Sequence, residues 1–155
     1  METTELVEDA KNRVESVPFD LVLVDQNLPD GTGLELAAYL DAEQVSFMFV
    51  SADDSPELMR QAMELGALGF ITKPFDLEKA QITIDGAINQ ALEKRKTNRD
   101  LVVNVAVGLM MERGNLARKD AYLKLRDKSR ERNLTIIEAA EELIVQVETV
   151  NYYLS

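Results

Sequence analysis

The stretch Leu21-Val22-Leu23-Val24-Asp25-Gln26-Asn27-Leu28-Pro29-Asp30-Gly31-Thr32-Gly33 decides the fold. Four consecutive apolar residues, bounded by polar ones, read as a short strand covered on both faces, which is the pattern of a parallel sheet. The run stops abruptly at Asp25, and residues 29–33 form a turn cluster of Pro, Asp, Gly and Thr.

Working outward, residues 3–16 carry Leu6, Val7, Ala10 and Val14 at helical spacing, and Pro18 closes that helix. On the other side, Leu34 to Ala42 reads as a helix, and Phe47-Met48-Phe49-Val50 as a second buried strand ending at Ser51. Ser55 caps a helix with Pro56 at its first position and Gly66 beyond its end. Phe70-Ile71-Thr72 is a third strand, ending at Lys73-Pro74, and Asp76 caps a helix running through Ile82, Ile88 and Leu92. The order α-β-α-β-α-β-α predicts a parallel, doubly wound α/β sheet with right-handed crossovers. Ligands of such sheets sit at the carboxyl ends of the strands. Asp25, Ser51 and Lys73 all fall there.

Taken singly, Asp25 could open a turn, Ser51 cap a helix and Lys73 face solvent. Together, a carboxylate, a hydroxyl and an ammonium ending three successive strands are suited to accepting a phosphoryl group: the carboxylate attacks, and the lysine and hydroxyl hold the new phosphate oxygens. The segments LVLVDQNLPDGTG around Asp25, FVSAD around Ser51 and FITKPF around Lys73 resemble the response-regulator receiver family. The resemblance implies a flavodoxin-like (CheY-like) fold, with Asp25 as phospho-acceptor and Ser51, Phe70 and Lys73 as the residues that sense the phosphate. It also implies a cis peptide before Pro74, and a sensor histidine kinase or another receiver as partner. Receivers hold Mg²⁺ with an acidic pair at the end of a strand that precedes any residue matched here. Asp25 and Asn27 are then the metal candidates that remain, and without that pair Mg²⁺ binding and phosphoryl transfer are expected to be weak. Glu8-Asp9 lies within a predicted helix and is no substitute. The resemblance therefore implies an incomplete sheet over residues 1–80, lacking the family's first strand, first helix and second strand. A shortened sequence and a degenerate receiver that signals by binding partners both account for it.

Residues 93–100 are fully polar but contain no Gly or Pro, which predicts a continuous connecting helix over 81–100. Leu101, Val102, Val105, Ala106, Leu109 and Met110 restore an apolar helical stripe that Gly114-Asn115 breaks. A helix over 117–132 follows, and Thr135-Ile136-Ile137-Glu138 is a capping box opening the last one. Residues 101–155 are thus a small all-α, three-helix domain. Mid-helix Gly108 predicts close helix packing, because glycine otherwise weakens a helix.

Charge separates the two parts. The net charge is −11, and residues 1–96 carry all of it, with 8 Lys/Arg against 19 Asp/Glu. Residues 97–155 hold 9 of each, and eight basic residues crowd between Arg113 and Arg132. By itself a basic helix is only a solvated face. The dispersed matches Ala106-Val107-Gly108-Leu109-Met110-Met111-Glu112-Arg113, Ala121-Tyr122, Leu125-Arg126, Asn133-Leu134 and Glu138-Ala139-Ala140 with Ile144 resemble the ANTAR domain, an antitermination RNA-binding module. Val107 replaces a common lysine of that family and Ala117 a common Ser/Thr helix cap. The resemblance implies a dimeric transcription antiterminator that binds RNA stem-loops in leader transcripts, with pairing along the helix from about 77 to 111. Arg113, Arg118, Lys119, Lys124, Arg126 and Arg130 are the candidate RNA contacts, and Tyr122 is expected in the core. The alternative is a degenerate receiver whose bundle only dimerises or binds protein.

Other classes recede. With no Cys and no His there is no disulfide, no thiolate zinc site and no histidine base, and the chain is expected not to be an enzyme. No apolar run reaches the roughly 20 residues of a membrane span, and the acidic N-terminus does not resemble a signal peptide. A cytoplasmic protein without a membrane partner is expected.

Overall fold

The computed structural model describes residues 1–154, with side-chain surroundings through Val150. The chain divides into two compact units, residues 1–93 and 94–155.

The first unit contains helix α1 (Val7–Ser16), strand β1 (Val22–Val24), a two-strand hairpin β2 (Asn27–Leu28) and β3 (Gly31–Thr32), helix α2 (Gly33–Ala42), strand β4 (Phe47–Ser51), helix α3 (Pro56–Glu64) and strand β5 (Phe70–Thr72). Strands β1, β4 and β5 form one parallel sheet in that spatial order, so β1 and β5 are its edges. Val24 pairs with Phe49, and Ser51 with Thr72. The apolar runs are buried as their continuity predicts: Val24, Phe47, Met48 and Phe49 are inaccessible to solvent. Leu36, Ala37, Leu40, Val7 and Ala10 cover one face of the sheet. Ala80 and Ala87, from the start of helix α4 (Leu77–Gly114), pack with Met48 and Ile71.

Two expectations are corrected here. The turn cluster at 29–33 is part of a hairpin, β2 pairing antiparallel with β3, and strands of two residues are too short to show an alternation in sequence. Helix α1 starts at Val7, not residue 3. Its first amides donate to the carboxylate of Asp30, Val7 N–H at 2.8 Å and Glu8 N–H at 3.2 Å. The cap of this helix therefore comes from the hairpin 23 residues away, while residue 6, the usual capping position, is a leucine without a side-chain acceptor.

Several local signals act as expected. Ser55 Oγ accepts from Leu58 N–H, Pro56 opens α3, and Gly66 takes a φ of 89° just past its end. Residues 93–100 are helical throughout, within α4, as the absence of Gly and Pro predicts.

The second unit packs the end of α4, α5 (Arg118–Glu131) and α6 (Ile136–Leu154) around Ala106, Val107, Ala121, Leu125 and Ala140. Thr135 and Glu138 form the reciprocal cap of α6: Glu138 N–H donates to Thr135 Oγ1 at 3.2 Å and Thr135 N–H to Glu138 Oε2 at 2.7 Å. At residue 117, the N-cap of α5, alanine offers no acceptor. Gly108 does not serve close packing as expected: a Cβ built there meets nothing within 4 Å.

Candidate functional site

The site at the strand ends is assembled by β1, β4 and β5. Asp25 directly follows β1, and Lys73 follows β5 at the far edge of the sheet. Lys73 Nζ donates to Asp25 Oδ2 at 2.6 Å, across 48 residues of sequence. Both side chains keep solvent contact, Asp25 at 34% and Lys73 at 42% of full exposure, so an incoming group can reach them.

Asp25 is also held by backbone. Asn27 N–H donates to Asp25 Oδ1 at 3.3 Å. The desolvation of partial burial would raise the Asp25 carboxyl. Hydrogen bonds from Lys73, Asn27 and Gln26, with the charge of Lys73, outweigh it and hold the pKa below its ordinary value. Asp25 is therefore a ready anion, oriented by a cation.

Gly33 makes this loop possible. Its N–H donates to the Gln26 carbonyl at 2.9 Å. A Cβ there would lie 2.9 Å from Gln26 Cα, 2.9 Å from Phe49 Cε1 and closer still to the Asp25 carbonyl oxygen. The loop carrying Asp25 thus rests directly on the first turn of α2, and only hydrogen fits between them.

The other predicted residues have different positions. Ser51 is fully buried, and its Oγ accepts from Asp53 N–H at 3.2 Å. Its carbonyl accepts from Lys73 N–H at 2.8 Å, which fixes the backbone beneath the lysine. Phe70 lies half-buried, stacked on Phe49 with ring centroids 5.9 Å apart and planes inclined by 3°. The Lys73–Pro74 peptide is cis.

The two metal candidates, Asp25 and Asn27, meet, but not through a pair of side chains. Asn27 lies exposed in β2, and its contact with Asp25 is through its backbone amide. Among the described residues no three acidic side chains come together around a cation position. One carboxylate already paired with an ammonium does not supply the several oxygen ligands Mg²⁺ requires. The residues described do not fit that ion.

In the second unit the candidate RNA residues divide. At about 100° per residue, the buried line Ala121–Leu125–Ser129 separates two flanks of α5. Lys124 and Lys128 lie on one flank. With Arg113 they rim an apolar groove of about 280 Å³ floored by Leu109, Met110, Leu116, Leu143 and Val147. Lys119, Tyr122, Arg126 and Arg130 lie on the other flank, and Asp120, Asp127 and Glu131 run between the two on the outer side. Arg118 Nη2 donates to Asn104 Oδ1 at 2.6 Å, and Arg126 pairs with Asp127 at 2.8 Å. Lys119, Lys124, Lys128 and Arg130 make no ion pair among the described residues, and their charge is available to an anion. Lys128 was not among the residues picked from the sequence, although its i,i+4 spacing from Lys124 was legible. Tyr122 is not in the core as expected but 44% exposed.

A doubly wound sheet with an aspartate and a lysine meeting at its strand ends defines the receiver class of signalling modules. The chain belongs to the response regulator receiver domain family, which it matches over residues 1–85, and residues 87–144 match the ANTAR domain. It is 32% identical over 130 residues to the response regulator protein PilR of Pseudomonas aeruginosa, covering 79% of this chain and 29% of PilR. It is 30% identical to the transcriptional regulatory protein FixJ of Bradyrhizobium diazoefficiens over 65% of this chain and 53% of FixJ. The chain thus spans only part of the length of these relatives. Among solved structures, the non-phosphorylated HemR receiver domain of Leptospira biflexa superposes with a TM-score of 0.53 at 34% identity, over 56% of this chain and 72% of that one. The receiver domain of a putative LuxO repressor from Vibrio parahaemolyticus shares the fold, with a TM-score of 0.57 at 21% identity over 61% and 74% of the two chains. Receiver and ANTAR domain in one chain make it a two-component regulator of the RNA-binding antitermination type at the level of family. No helix among the described residues is long and apolar enough to cross a membrane.

Proposed function

We propose that this chain is a non-catalytic antiterminator that binds stem-loop RNA in leader transcripts through residues 94–150, under the control of the unit that carries Asp25. The observation that carries the reading is the cationic helix α5 within the ANTAR match, with four of its basic side chains unpaired among the described residues. Phosphates of a hairpin satisfy those cations, and displaced counterions drive the association.

Asp25 is the point of control. One of its carboxylate oxygens attacks the phosphorus of a phosphohistidine on a sensor kinase, a P–O bond forms as the P–N bond breaks, and the imidazole leaves. Lys73 then transfers its hydrogen bond from the carboxylate to a phosphate oxygen. The charge around the Ser51–Lys73 backbone changes with it. The lowered pKa of Asp25 supports this role, since the nucleophile is the anion.

The chain acts as a dimer in this reading. Leu77, Ile88 and Leu92 lie along one stripe of α4, with Leu77 78% and Leu92 47% exposed, and such a stripe is suited to burial against a second copy.

Gel-shift titration of the full chain with a two-hairpin leader RNA tests the proposal. The expected result is binding that weakens steeply with salt, together with read-through of the terminator in a reconstituted transcription reaction. No binding at low salt would sink it. Sedimentation that gives a monomer at all concentrations would remove the dimer alone.

A further inference from the structure

We infer that Tyr122 is a stacking platform for an unpaired loop base of the RNA, with Lys119, Arg126 and Arg130 beside it holding the adjoining phosphates; the inference rests on the RNA-binding reading above and specifies which face of α5 does the reading.

Tyr122 lacks both burial and a polar partner among the described residues. Ala121 and Leu125, beside it on the helix, are buried in the bundle, but Tyr122 itself is 44% exposed, and its hydroxyl makes no hydrogen bond among the described residues. It is the one aromatic side chain of the second unit whose surroundings are described. An exposed ring at the edge of a core gains nothing for the fold that a leucine would not supply, and it costs ordering of water over an apolar surface.

The surroundings of the ring select the ligand. Lys119 is three residues before Tyr122 and Arg126 four after, the two helical spacings that place side chains against one another. Arg130 is one further turn along the same flank. Lys119 and Arg130 are free of ion pairs among the described residues, and Arg126 holds only the exposed carboxylate next to it in sequence. A flat π-face with cations at its margins fits a flat, electron-rich group attached to phosphates. That is an unstacked nucleotide, whose base lies on the ring while its phosphates meet the cations. Duplex RNA does not fit, because its bases are already stacked and cannot cover the ring. A protein partner would need an acidic and apolar segment, and is the alternative outcome below.

The opposite flank is a rival for the same role. Lys124 and Lys128 with Arg113 border the groove floored by Met110 and Leu143, but none of the residues lining it is aromatic. On this inference the groove flank contributes charge and no loop recognition.

The chain contains no tryptophan, so Tyr122→Trp places a single reporter at the position. The full-length Tyr122→Trp protein is titrated with a hairpin RNA of the leader type, the same hairpin with an abasic loop, and the bare duplex stem. The expected result is quenching of the emission by the intact hairpin, with little or none from the abasic loop or the duplex. Tyr122→Leu, checked for helix content, should lose about 5- to 150-fold in affinity for the intact hairpin, with an unchanged dependence on salt. Lys119→Ala with Arg126→Ala should instead flatten that dependence by about two charges. Lys124→Ala with Lys128→Ala should leave the preference for the intact loop over the duplex in place. Emission unchanged by a hairpin that does bind, or wild-type affinity in Tyr122→Leu, overturns the inference while leaving RNA binding intact. Failure of the wild type to bind any RNA overturns both. Quenching by an acidic peptide and not by RNA would assign the face to a protein.

Discussion

Replacing Gly33 by alanine tests whether the loop carrying Asp25 truly rests on α2. The added Cβ would lie 2.9 Å from Gln26 Cα and from Phe49 Cε1, and closer to the Asp25 carbonyl oxygen. Carbon–carbon contacts are optimal at about 3.5–4.0 Å, so the loop or the helix must retreat by roughly half an ångström or more. None of the three neighbours is a flexible side-chain end. Two are backbone, and Phe49 is fully buried and stacked on Phe70. Forced overpacking of this kind costs about 1–3 kcal/mol. For a unit of 93 residues, each kcal/mol moves the midpoint by about 4–8 °C, so the expected loss is roughly 4–24 °C in the transition of the first unit. Calorimetry on the full chain reads it, and amide exchange at Val24, Gln26 and Gly33 should rise with it. Gly86→Ala is the internal control. Nothing lies within 4 Å of a Cβ at that position, and alanine there should stabilise α4 by about 1 kcal/mol. A Gly33→Ala protein that melts at or above the wild-type temperature, with unchanged exchange, would refute the contact and the account of how Asp25 is placed.

The remaining predictions concern the site and the second unit. The Asp25 carboxyl, followed by carbon-13 NMR, should titrate below its ordinary value near 3.8. Lys73→Ala should raise it, and a titration indifferent to Lys73 would contradict the pairing. Because the folded value is the lower one, Asp25 contributes stability above its unfolded pKa and loses it as pH falls through the folded one. Lys73→Ala should therefore narrow the difference in stability between neutral and acid pH. Ala117→Ser supplies the missing acceptor at the start of α5 and should stabilise the second unit by about 1 kcal/mol, read by chemical denaturation. Gly108→Ala should do the same by about 1 kcal/mol, and destabilisation there would reveal a close neighbour of that glycine.

The parallel sheet was legible because its strands are continuous apolar runs that each stop at a polar residue of unlike chemistry. Asp25 and Lys73 could be paired from their strand ends alone, since parallel strands bring those ends together. Ser51 illustrates the limit: its position at a strand end was correct, yet it is fully buried and its hydroxyl accepts from the Asp53 amide, which no pattern of residue types conveys. The hairpin at 27–32 escaped because two-residue strands have no periodicity. Tyr122 was misplaced because Ala121, Tyr122 and Leu125 read together as one apolar face. The face in fact continues through Ser129, a buried serine whose hydroxyl donates to the Arg126 carbonyl at 2.7 Å. With that polar residue recognised as core, the stripe turns away from Tyr122 and leaves the ring outside.

Strand β1 has a further consequence for the chain in solution. It is an edge of the sheet, three residues long, and Leu23 on it is 44% exposed. An open row of amides and carbonyls beside an exposed leucine is a template on which another chain can add a strand. Here the template is very short and is bracketed by carboxylates, Asp20 before it and Asp25 after it. Two copies lying edge to edge would bring like charges together at each end of the shared ladder. Asp20 and Asp25 would therefore disfavour such edge-to-edge pairing, and a neutral residue at position 25 should weaken that effect.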